Sequence, residues 1–328
     1  MTPLIVIIIL LALVFDFLNG IHDSSNIVAT MIASRAFSAR TSLGMTAIAN
    51  FLGPFIFGVA VAETIGNEVV DSEAISLPVI LTALISAILW NLLTWYLGFP
   101  SSSSHALVGG LIGAVLIGAG WEAIILPGLL KVLLTLLVSP IIGFVFGYLI
   151  LKILILASWN ATPKVNFIFK RSQIFTSLSL ALSHGTNDAQ KTMGIITLTL
   201  VTGGVLESFV VPDWVVFACA SMIALGTAVG GWRLIRTLGG KFFRIKPIDG
   251  FASQLASSTV ILGASLIGGP VSTTQVVSSS ILGVGAAERV NKVRWNVGKD
   301  IVIAWVFTIP ATAVVAAGLY WILSLFFN

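Results

Sequence analysis

The sequence predicts an all-α polytopic membrane protein built as an inverted-topology repeat with broken helices or re-entrant hairpins. Charged residues make up 9% of the chain and hydrophobic residues 57%, whereas soluble domains average roughly 25% and 45–50%. Five long stretches contain no Asp, Glu, Lys or Arg, namely 74–121, 132–151, 214–232, 250–287 and 301–328. A spanning helix needs roughly 20 apolar residues, so these stretches and the apolar N-terminal segment indicate about 10–12 membrane segments.

The second observation behind this prediction is that two polar motifs each occur twice. Gly-Ile-His-Asp-Ser-Ser-Asn at 20–26 returns as Gly-Thr-Asn-Asp-Ala-Gln-Lys at 185–191. Pro-Ser-Ser-Ser-Ser-His at 100–105 returns as Pro-Val-Ser-Thr-Thr-Gln at 270–275. The copies lie 165 and 170 residues apart, so each half of the chain is one copy of the same unit.

The charged loops predict how each half lies in the bilayer. Lys and Arg cluster at Arg35/Arg40 and within 152–171, 233–246 and 289–299, and acids dominate the loops that separate the first three of these clusters. Basic loops are cytoplasmic by the positive-inside rule. Both termini then lie outside the plasma (inner) membrane, and a cytoplasmic loop (152–171) joins the first repeat (1–151) to the second (172–328), which runs in the opposite sense. The net charge of +4 says little about nucleic-acid binding. No nucleic-acid partner is predicted.

Two helix breaks inside apolar stretches precede rows of hydroxyl residues. Gly98-Phe99-Pro100 and Gly268-Gly269-Pro270 interrupt a helix, since Pro removes a donor and disfavours helix in the residue before it. Ser or Thr after a break is an N-cap signal, so we expect helices to begin near Ser103 and Thr273. The N-terminus of a helix attracts anions through its free N–H groups and its dipole. Two such termini in symmetric copies predict an anion site.

The acidic motif is predicted to place its polar side chains on one helix face. Asn19, Asp23 and Asn26 fall at i, i+4 and i+7, which share a face. The equivalent positions of the second repeat are His184, Asp188 and Lys191. Carboxylate and amide oxygens suit a hard cation such as Na⁺. The alternative is a buried ion pair or hydrogen-bonded network that holds helices together, for which Lys191 could pair with Asp188.

The sequence does not indicate an enzyme, an intrachain disulfide or a transition-metal site. The motifs HExxH, GxSxG and GxxxxGK[ST] are absent, so no enzyme is predicted. The single Cys219 excludes intrachain disulfides and Cys-based metal clusters. His22, His105 and His184 lack metal-ligand spacing, so neither a transition metal nor another cofactor is expected. A duplicated polar site within membrane segments is typical of a secondary transporter.

Together, the repeated Gly-x-[Asn/His]-Asp-x-x-[Asn/Lys] and Pro-x-Ser-[Ser/Thr]-[Ser/Thr]-[His/Gln] elements resemble those of the inorganic phosphate transporter (PiT) family. The resemblance covers essentially the whole chain. It implies a homodimeric symporter of inorganic phosphate, driven by Na⁺ or H⁺ and independent of ATP. Family motifs usually read Gly-Ala-Asn-Asp-Val-Ala-Asn. Here His22 replaces the first Asn of the first copy, and Lys191 replaces the last Asn of the second.

The resemblance and the motifs together assign the site residues. The phosphate ligands expected are Ser102, Ser103, Ser104, Ser272, Thr273, Thr274 and Asn187. The Na⁺ ligands expected are Asp23, Asp188, Asn26, Asn19 and Asn187. The residues expected to modulate the site are His22, His184, Lys191 and Gln275. Phosphate, sodium ions, the lipid bilayer and a second copy of the chain are the expected partners.

The acids explain why such a site would couple an anion to cations. One carboxylate and one phosphate charge about 4 Å apart repel by about 4 kcal/mol at an effective dielectric constant near 20. A cation between them turns the repulsion into a bridge. Sulfate carried by the same architecture remains an alternative, because it is also a tetrahedral oxyanion. A passive anion channel is an alternative of a different class.

Overall fold

The computed structural model describes residues 2–99, 101–240 and 242–327, and within these ranges the chain is helical without a strand. The helices of the first half are α1 (Pro3–Ala33), α2 (Ala39–Phe57), α3 (Ala60–Glu63, continued by a π-helical turn over Thr64–Glu68), α4 (Leu77–Leu97), α5 (Ser103–Gly118) and α6 (Leu126–Ala157). Those of the second half are α7 (Val165–Thr202), α8 (Asp213–Val229), α9 (Trp232–Gly240), α10 (Pro247–Leu266), α11 (Thr273–Glu288) and α12 (Trp295–Phe327). The predicted all-α fold is confirmed.

Several of these helices are long and apolar enough to cross a membrane. Among the described residues, α1, α4, α6 and α12 qualify individually, and the bent pairs α2–α3 and α8–α9 raise the number to six. The outer faces of α6 and α12 expose large apolar side chains such as Leu137 (64%) and Val314 (73%). Apolar side chains at such exposure suit a lipid environment. The chain is therefore a multi-pass membrane protein.

Helix order and helix packing both repeat between the halves. The second half follows the first helix by helix, from α1 and α7 to α6 and α12. Where α1 packs on α8, α7 packs on α2, and where α5 packs on α12, α11 packs on α6. This reciprocal exchange is what an approximate two-fold relation between the halves requires. The sense of each half relative to the membrane stays a prediction.

Two glycines bend the chain between neighbouring apolar helices. Gly58, between α2 and α3, has φ 80°, and Gly230, between α8 and α9, has φ 79°. Glycine adopts this left-handed region without a steric penalty. The paired helices consequently meet at 76° and 71°. These bends lie at equivalent places in the two halves.

The predicted breaks before α5 and α11 are confirmed in the described residues. Gly98 and Gly268 have φ 72° and 71°, and the helices that follow begin at Ser103 and Thr273. Pro100 lies outside the described residues. The N-cap residues are Ser102 and Ser272, whose hydroxyls accept from the backbone N–H groups three residues later. Both helix N-termini therefore have the expected form.

The connection between the halves is shorter than the predicted loop over 152–171. Helix α6 continues to Ala157 and α7 begins at Val165. The apolar residues of 153–157 extend α6 beyond the expected boundary, and Lys170 and Arg171 lie within the first two turns of α7 rather than in a loop. The division of the chain into two repeats stays as predicted from the motifs.

Candidate functional site

A buried polar cluster forms where the middles of α1 and α7 meet the N-termini of α5 and α11. Its centre is the pair of carboxylates Asp23 and Asp188, both 0% exposed. Both long helices pass through the molecule, so their motifs lie deep within it, and the breaks at Gly98 and Gly268 bring two helix N-termini to the same depth. The two duplicated motifs thus form one site.

Asp23 is held by neutral donors and by a histidine ring. Its Oδ1 accepts from the Thr274 hydroxyl at 2.8 Å and from the Asn26 amide at 2.8 Å. The His22 ring contributes Nδ1 at 3.3 Å from the same oxygen. The other oxygen, Oδ2, accepts a long bond of 3.5 Å from the Ser103 hydroxyl and lies 3.9 Å from the His184 Nε2, which is bonded to Asp188. One side of this carboxylate is therefore weakly satisfied.

Asp188 is surrounded by groups that bring positive charge. The Lys191 ammonium contacts Oδ1 directly. Oδ2 accepts from the Thr273 hydroxyl at 2.8 Å and lies 2.9 Å from the His184 Nε2. Both oxygens are thus fully engaged, in contrast to those of Asp23.

The contacts of the two acids follow one reciprocal pattern. Each acid accepts from a hydroxyl of its own half, Ser103 or Thr273. Asp23 also reaches Thr274 of the opposite half, directly and through Asn26. Asp188 reaches Ser104 of the opposite half through Lys191, whose ammonium lies 2.7 Å from that hydroxyl. Lys191 therefore plays towards Asp188 the part that Asn26 plays towards Asp23. The residues that carry this pattern are Asp23, Asn26, Ser103, Ser104, Asp188, Lys191, Thr273 and Thr274.

The directions of the hydrogen bonds around His184 require a proton between His184 and Asp188. The Thr227 hydroxyl donates to the Ile223 carbonyl, so it accepts from the Asn50 NH₂ group at 2.7 Å. The Asn50 carbonyl oxygen then faces the His184 Nδ1 at 3.2 Å, and Nδ1 must be the donor. The Nε2 contact with Asp188 needs a second proton, on one partner or the other. This pair is electrically neutral in either arrangement, which leaves the Lys191 charge as a surplus.

Several buried acceptor oxygens near Asp23 have no donor among the described residues. They include the amide oxygens of Asn19 and Asn26, each on a side chain that is 1% exposed. Acceptors without donors are costly in a buried site unless a cation or a proton occupies it. Asn19, Asp23 and Asn26 share one face of α1, as predicted. The first half therefore offers a set of oxygens that fits a hard monovalent cation.

Asp16 extends the same face and was absent from the predicted site. It is 0% exposed, and neither of its carboxylate oxygens has a hydrogen-bond partner among the described residues. Its position seven residues before Asp23 puts both acids on one face of α1. The spacing of seven residues between Asp16 and Asp23 was the feature of the sequence that could have placed Asp16 in the site. The sequence interpretation missed it because Asp16 lies outside the repeated motif.

The remaining predicted residues support the cluster from its edges. The Ser102 and Ser272 hydroxyls cap α5 and α11. The Asn187 amide donates to the Ser265 hydroxyl at 2.8 Å and accepts from the Val271 N–H at 3.3 Å, so it holds the break between α10 and α11. Gln275 contacts His105, its equivalent in the first half, at 3.3 Å. Their ligand roles stay predictions.

One oxygen of each acid and one ring nitrogen of His184 all lie within 4.8 Å of one another. That spacing could hold a metal ion, but His184 is already bonded to Asp188, and the Lys191 ammonium contacts the same carboxylate. A divalent cation would be repelled by that ammonium. The geometry therefore favours a monovalent cation on the Asp23 side.

The whole cluster is closed to solvent in this conformation. Its acids, amides and hydroxyls are at most 3% exposed, as seen for Ser103 and Ser104. The hydroxyls of Ser103, Thr273 and Thr274 are turned towards carboxylates, and the Ser104 hydroxyl donates to the Val271 carbonyl. A ligand that binds here must replace bonds that the cluster now makes with itself.

Comparison with known proteins places this arrangement among phosphate carriers. The profile of the "Phosphate transporter family" matches residues 19–162 and 155–316. The chain is 44% identical over 328 residues to a "Probable low-affinity inorganic phosphate transporter" of Bacillus subtilis, covering 99% of this chain and 98% of that protein. It is likewise 44% identical to a protein of the same description from Rhizobium meliloti, over 97% and 96% of the two chains. A solved structure, "The sodium-dependent phosphate transporter", superposes with a TM-score of 0.92 at 26% identity over 99% of this chain and 100% of that one.

Proposed function

Because this chain belongs to the phosphate transporter family, we propose that it is a secondary active symporter that moves inorganic phosphate together with Na⁺ by alternating access. Phosphate transport and the absence of an enzymatic role follow from the family. The coupling ion, the ligands and the stoichiometry are the proposed part. The structural neighbour at TM-score 0.92 is described as sodium-dependent, which supports Na⁺ over H⁺ here.

The observation that carries the proposal is the unevenly satisfied carboxylate of Asp23. It lies beside Asn19 and Asn26, whose buried amide oxygens have no donor among the described residues. A Na⁺ ion at this place would bind oxygens that otherwise lack a partner. It would also face Ser103 and Thr274, the hydroxyls at the N-termini of α5 and α11.

The proposed phosphate position lies between the two helix N-termini. When the hydroxyls of Ser103, Thr273 and Thr274 turn away from the acids, and that of Ser104 from the Val271 carbonyl, they become donors to phosphate oxygens, assisted by the helix N–H groups. Without Na⁺, the Asp23 carboxylate repels the anion by about 4 kcal/mol at about 4 Å. With Na⁺ bound, the same carboxylate contributes to a bridge. The acid thereby makes phosphate binding depend on the cation.

The donors proposed for phosphate also allow its release. A bidentate arginine would bind phosphate tightly with or without a cation, and the cluster described here contains none. Hydroxyls hold the anion by weaker bonds that can be exchanged for the carboxylate bonds seen in the closed state. The closed cluster therefore resembles the empty carrier as it would return across the membrane.

Phosphate is favoured over sulfate by the acceptors in the site. A protonated phosphate has a hydrogen to donate to Asp23, and a fully ionised sulfate has none. The printed descriptions of the relatives name phosphate. Sulfate transport by the same residues remains the alternative that a competition assay would reveal.

The inverted arrangement of the repeats, the outside location of both termini, the plasma membrane and the homodimer all remain proposals. The reciprocal packing of α1 on α8 and of α7 on α2 supports a two-fold relation between the halves. Cysteine accessibility at the exposed residues Glu73 and Lys164 would test the orientation, since these residues are predicted on opposite sides of the membrane.

Uptake of labelled phosphate into proteoliposomes tests the function. An inward Na⁺ gradient should drive accumulation above the external concentration, and a choline gradient of equal ionic strength should not. Asp23→Asn should abolish the accumulation, and Lys164→Asn, on the exposed turn before α7, should retain it. Equilibration without accumulation would indicate a channel, and accumulation driven by a proton gradient alone would replace Na⁺ with H⁺.

A further inference from the structure

Lys191 stands at the position that Asn26 occupies in the other half. Each follows its acid by three residues, and the two positions are 165 residues apart, the offset of the motif. Asn26 donates its amide to Asp23 at 2.8 Å and to Thr274 at 2.9 Å. Lys191 donates its ammonium to Asp188 and, at 2.7 Å, to Ser104. The two side chains thus make equivalent contacts, one with a neutral group and one with a charge.

The Lys191 ammonium is surrounded by oxygens in the way a bound cation is. It lies 2% exposed, and its three donors reach the Asp188 carboxylate, the Ser104 hydroxyl and the Val271 carbonyl, the last at 2.7 Å. A carboxylate, a hydroxyl and a backbone carbonyl are also the oxygen types that hard cations select. An ammonium satisfied by three oxygens leaves no room at that carboxylate oxygen for a second monovalent ion.

The charges around the two acids consequently differ. Beside Asp188, the lysine supplies one positive charge, and His184 shares a proton with the carboxylate. Beside Asp23, the Asn26 amide is neutral, and its oxygen has no donor among the described residues. The ring nitrogens of His22 and His184 lie 3.3 Å and 3.9 Å from this carboxylate. Among the described residues, a lysine ammonium contacts Asp188 and none contacts Asp23, so the position beside Asp23 is the one that a Na⁺ ion from solution can take.

We propose that the Lys191 ammonium is a built-in cation that occupies the Na⁺ position of the second half, so that the carrier takes up one Na⁺ fewer per phosphate than a symmetric site would. The inference rests on the proposed Na⁺-coupled function. It makes Asp23 the acid through which Na⁺ acts, and it gives Asp188 the part of holding a fixed positive charge beside the phosphate. The lysine remains with the protein throughout the cycle and is not released with the substrate.

The test counts the Na⁺ ions bound per protein at saturating phosphate, by equilibrium dialysis with ²²Na⁺ on detergent-purified protein. Lys191→Asn should bind about one Na⁺ more than the wild type, and Asn26→Lys about one fewer, because binding at each acid is linked to phosphate in the same way. Lys164→Asn makes the same substitution on the exposed turn before α7 and should leave the count unchanged.

A double variant that exchanges the two residues tests the inference even if Lys191→Asn alone does not bind phosphate. The double variant Asn26→Lys/Lys191→Asn transfers the fixed charge to the first half and should return the count to the wild-type value. If Lys191→Asn binds phosphate with an unchanged count, the inference is overturned. If Lys191→Asn does not bind phosphate, the exchanged variant decides, and its failure to bind also overturns the inference.

The same counts separate this inference from the proposed function. A wild type that binds no Na⁺, together with a Lys191→Asn variant that binds one, would refute Na⁺ coupling and support the built-in cation. A wild type that binds Na⁺, together with a Lys191→Asn variant that binds the same number, would support Na⁺ coupling and refute the built-in cation.

Discussion

The two halves of the polar cluster share a scaffold and differ in charge. In each, an acid in the middle of a long helix meets a hydroxyl at the N-terminus of a broken helix, at Asp23 with Ser103 and at Asp188 with Thr273. A lysine ammonium contacts Asp188, whereas the partners of Asp23 are hydroxyls, an amide and a histidine ring, and the neighbouring amide oxygens lack donors among the described residues. A duplicated backbone geometry can thus carry two different electrostatic functions when one side chain changes.

The largest effect should come from removing one acid and then the other. Asp188→Asn leaves a buried ammonium without its counter-charge, which costs about 3–5 kcal/mol. Asp23→Asn removes a charge whose donors are mostly neutral, and it should cost about 1 kcal/mol, the value of an ordinary hydrogen bond. Thermal unfolding in detergent without substrate would measure both changes.

A double variant sharpens that comparison. Asp188→Asn/Lys191→Asn removes the acid and its ammonium together, so it should recover most of the stability that Asp188→Asn loses. Equal losses for the two single acid variants, or no recovery in the double variant, would contradict the difference in charge between the halves.

The second-largest effect should come from removing the Ser104 and Thr274 hydroxyls, which contact residues of the opposite half. Ser104→Ala and Thr274→Ala should each raise the apparent KM for phosphate, because a hydrogen bond to a charged group is worth about 1.5–3 kcal/mol. Phosphate uptake at saturating Na⁺ would provide the values, with Ser324→Ala as a control on the exposed end of α12. Similar increases would place phosphate between the halves. An unchanged KM in both variants would place the anion elsewhere.

The smallest effect compares the glycines at the two helix breaks. Gly98 and Gly268 have the same left-handed φ, so alanine costs about 1–2 kcal/mol of backbone strain at either. A Cβ at Gly98 meets no atom within 4 Å, whereas at Gly268 it would lie 3.1 Å from the Ala60 carbonyl oxygen. Gly268→Ala should therefore lower the melting temperature more than Gly98→Ala. The reverse order would show that crowding around α3 does not contribute.

Local signals in the sequence predicted much of this architecture. The breaks before α5 and α11 follow from glycine and proline within apolar stretches, and the shared face of Asn19, Asp23 and Asn26 follows from helical periodicity. The bends at Gly58 and Gly230 were missed, because glycine within apolar sequence is also common in straight membrane helices.

The contacts that distinguish the two halves could not be predicted from the sequence. The bond between Lys191 and Ser104 joins residues 87 positions apart, and only the folded arrangement, which brings the N-terminus of α5 to the middle of α7, places them together. The i, i+3 spacing indicated that Lys191 could pair with Asp188. It could not indicate that the ammonium would also complete a three-oxygen shell.

The central claim is that Na⁺ bridges Asp23 to phosphate, and calorimetric titration of phosphate into the purified protein tests it most directly. In choline chloride, phosphate affinity should be at least about tenfold weaker than in NaCl of equal ionic strength, a difference of about 1.4 kcal/mol. Screening depends on ionic strength alone, so this difference would report the identity of the cation. Asp23→Asn should remove it. Equal affinities of the wild type in the two salts would contradict the account.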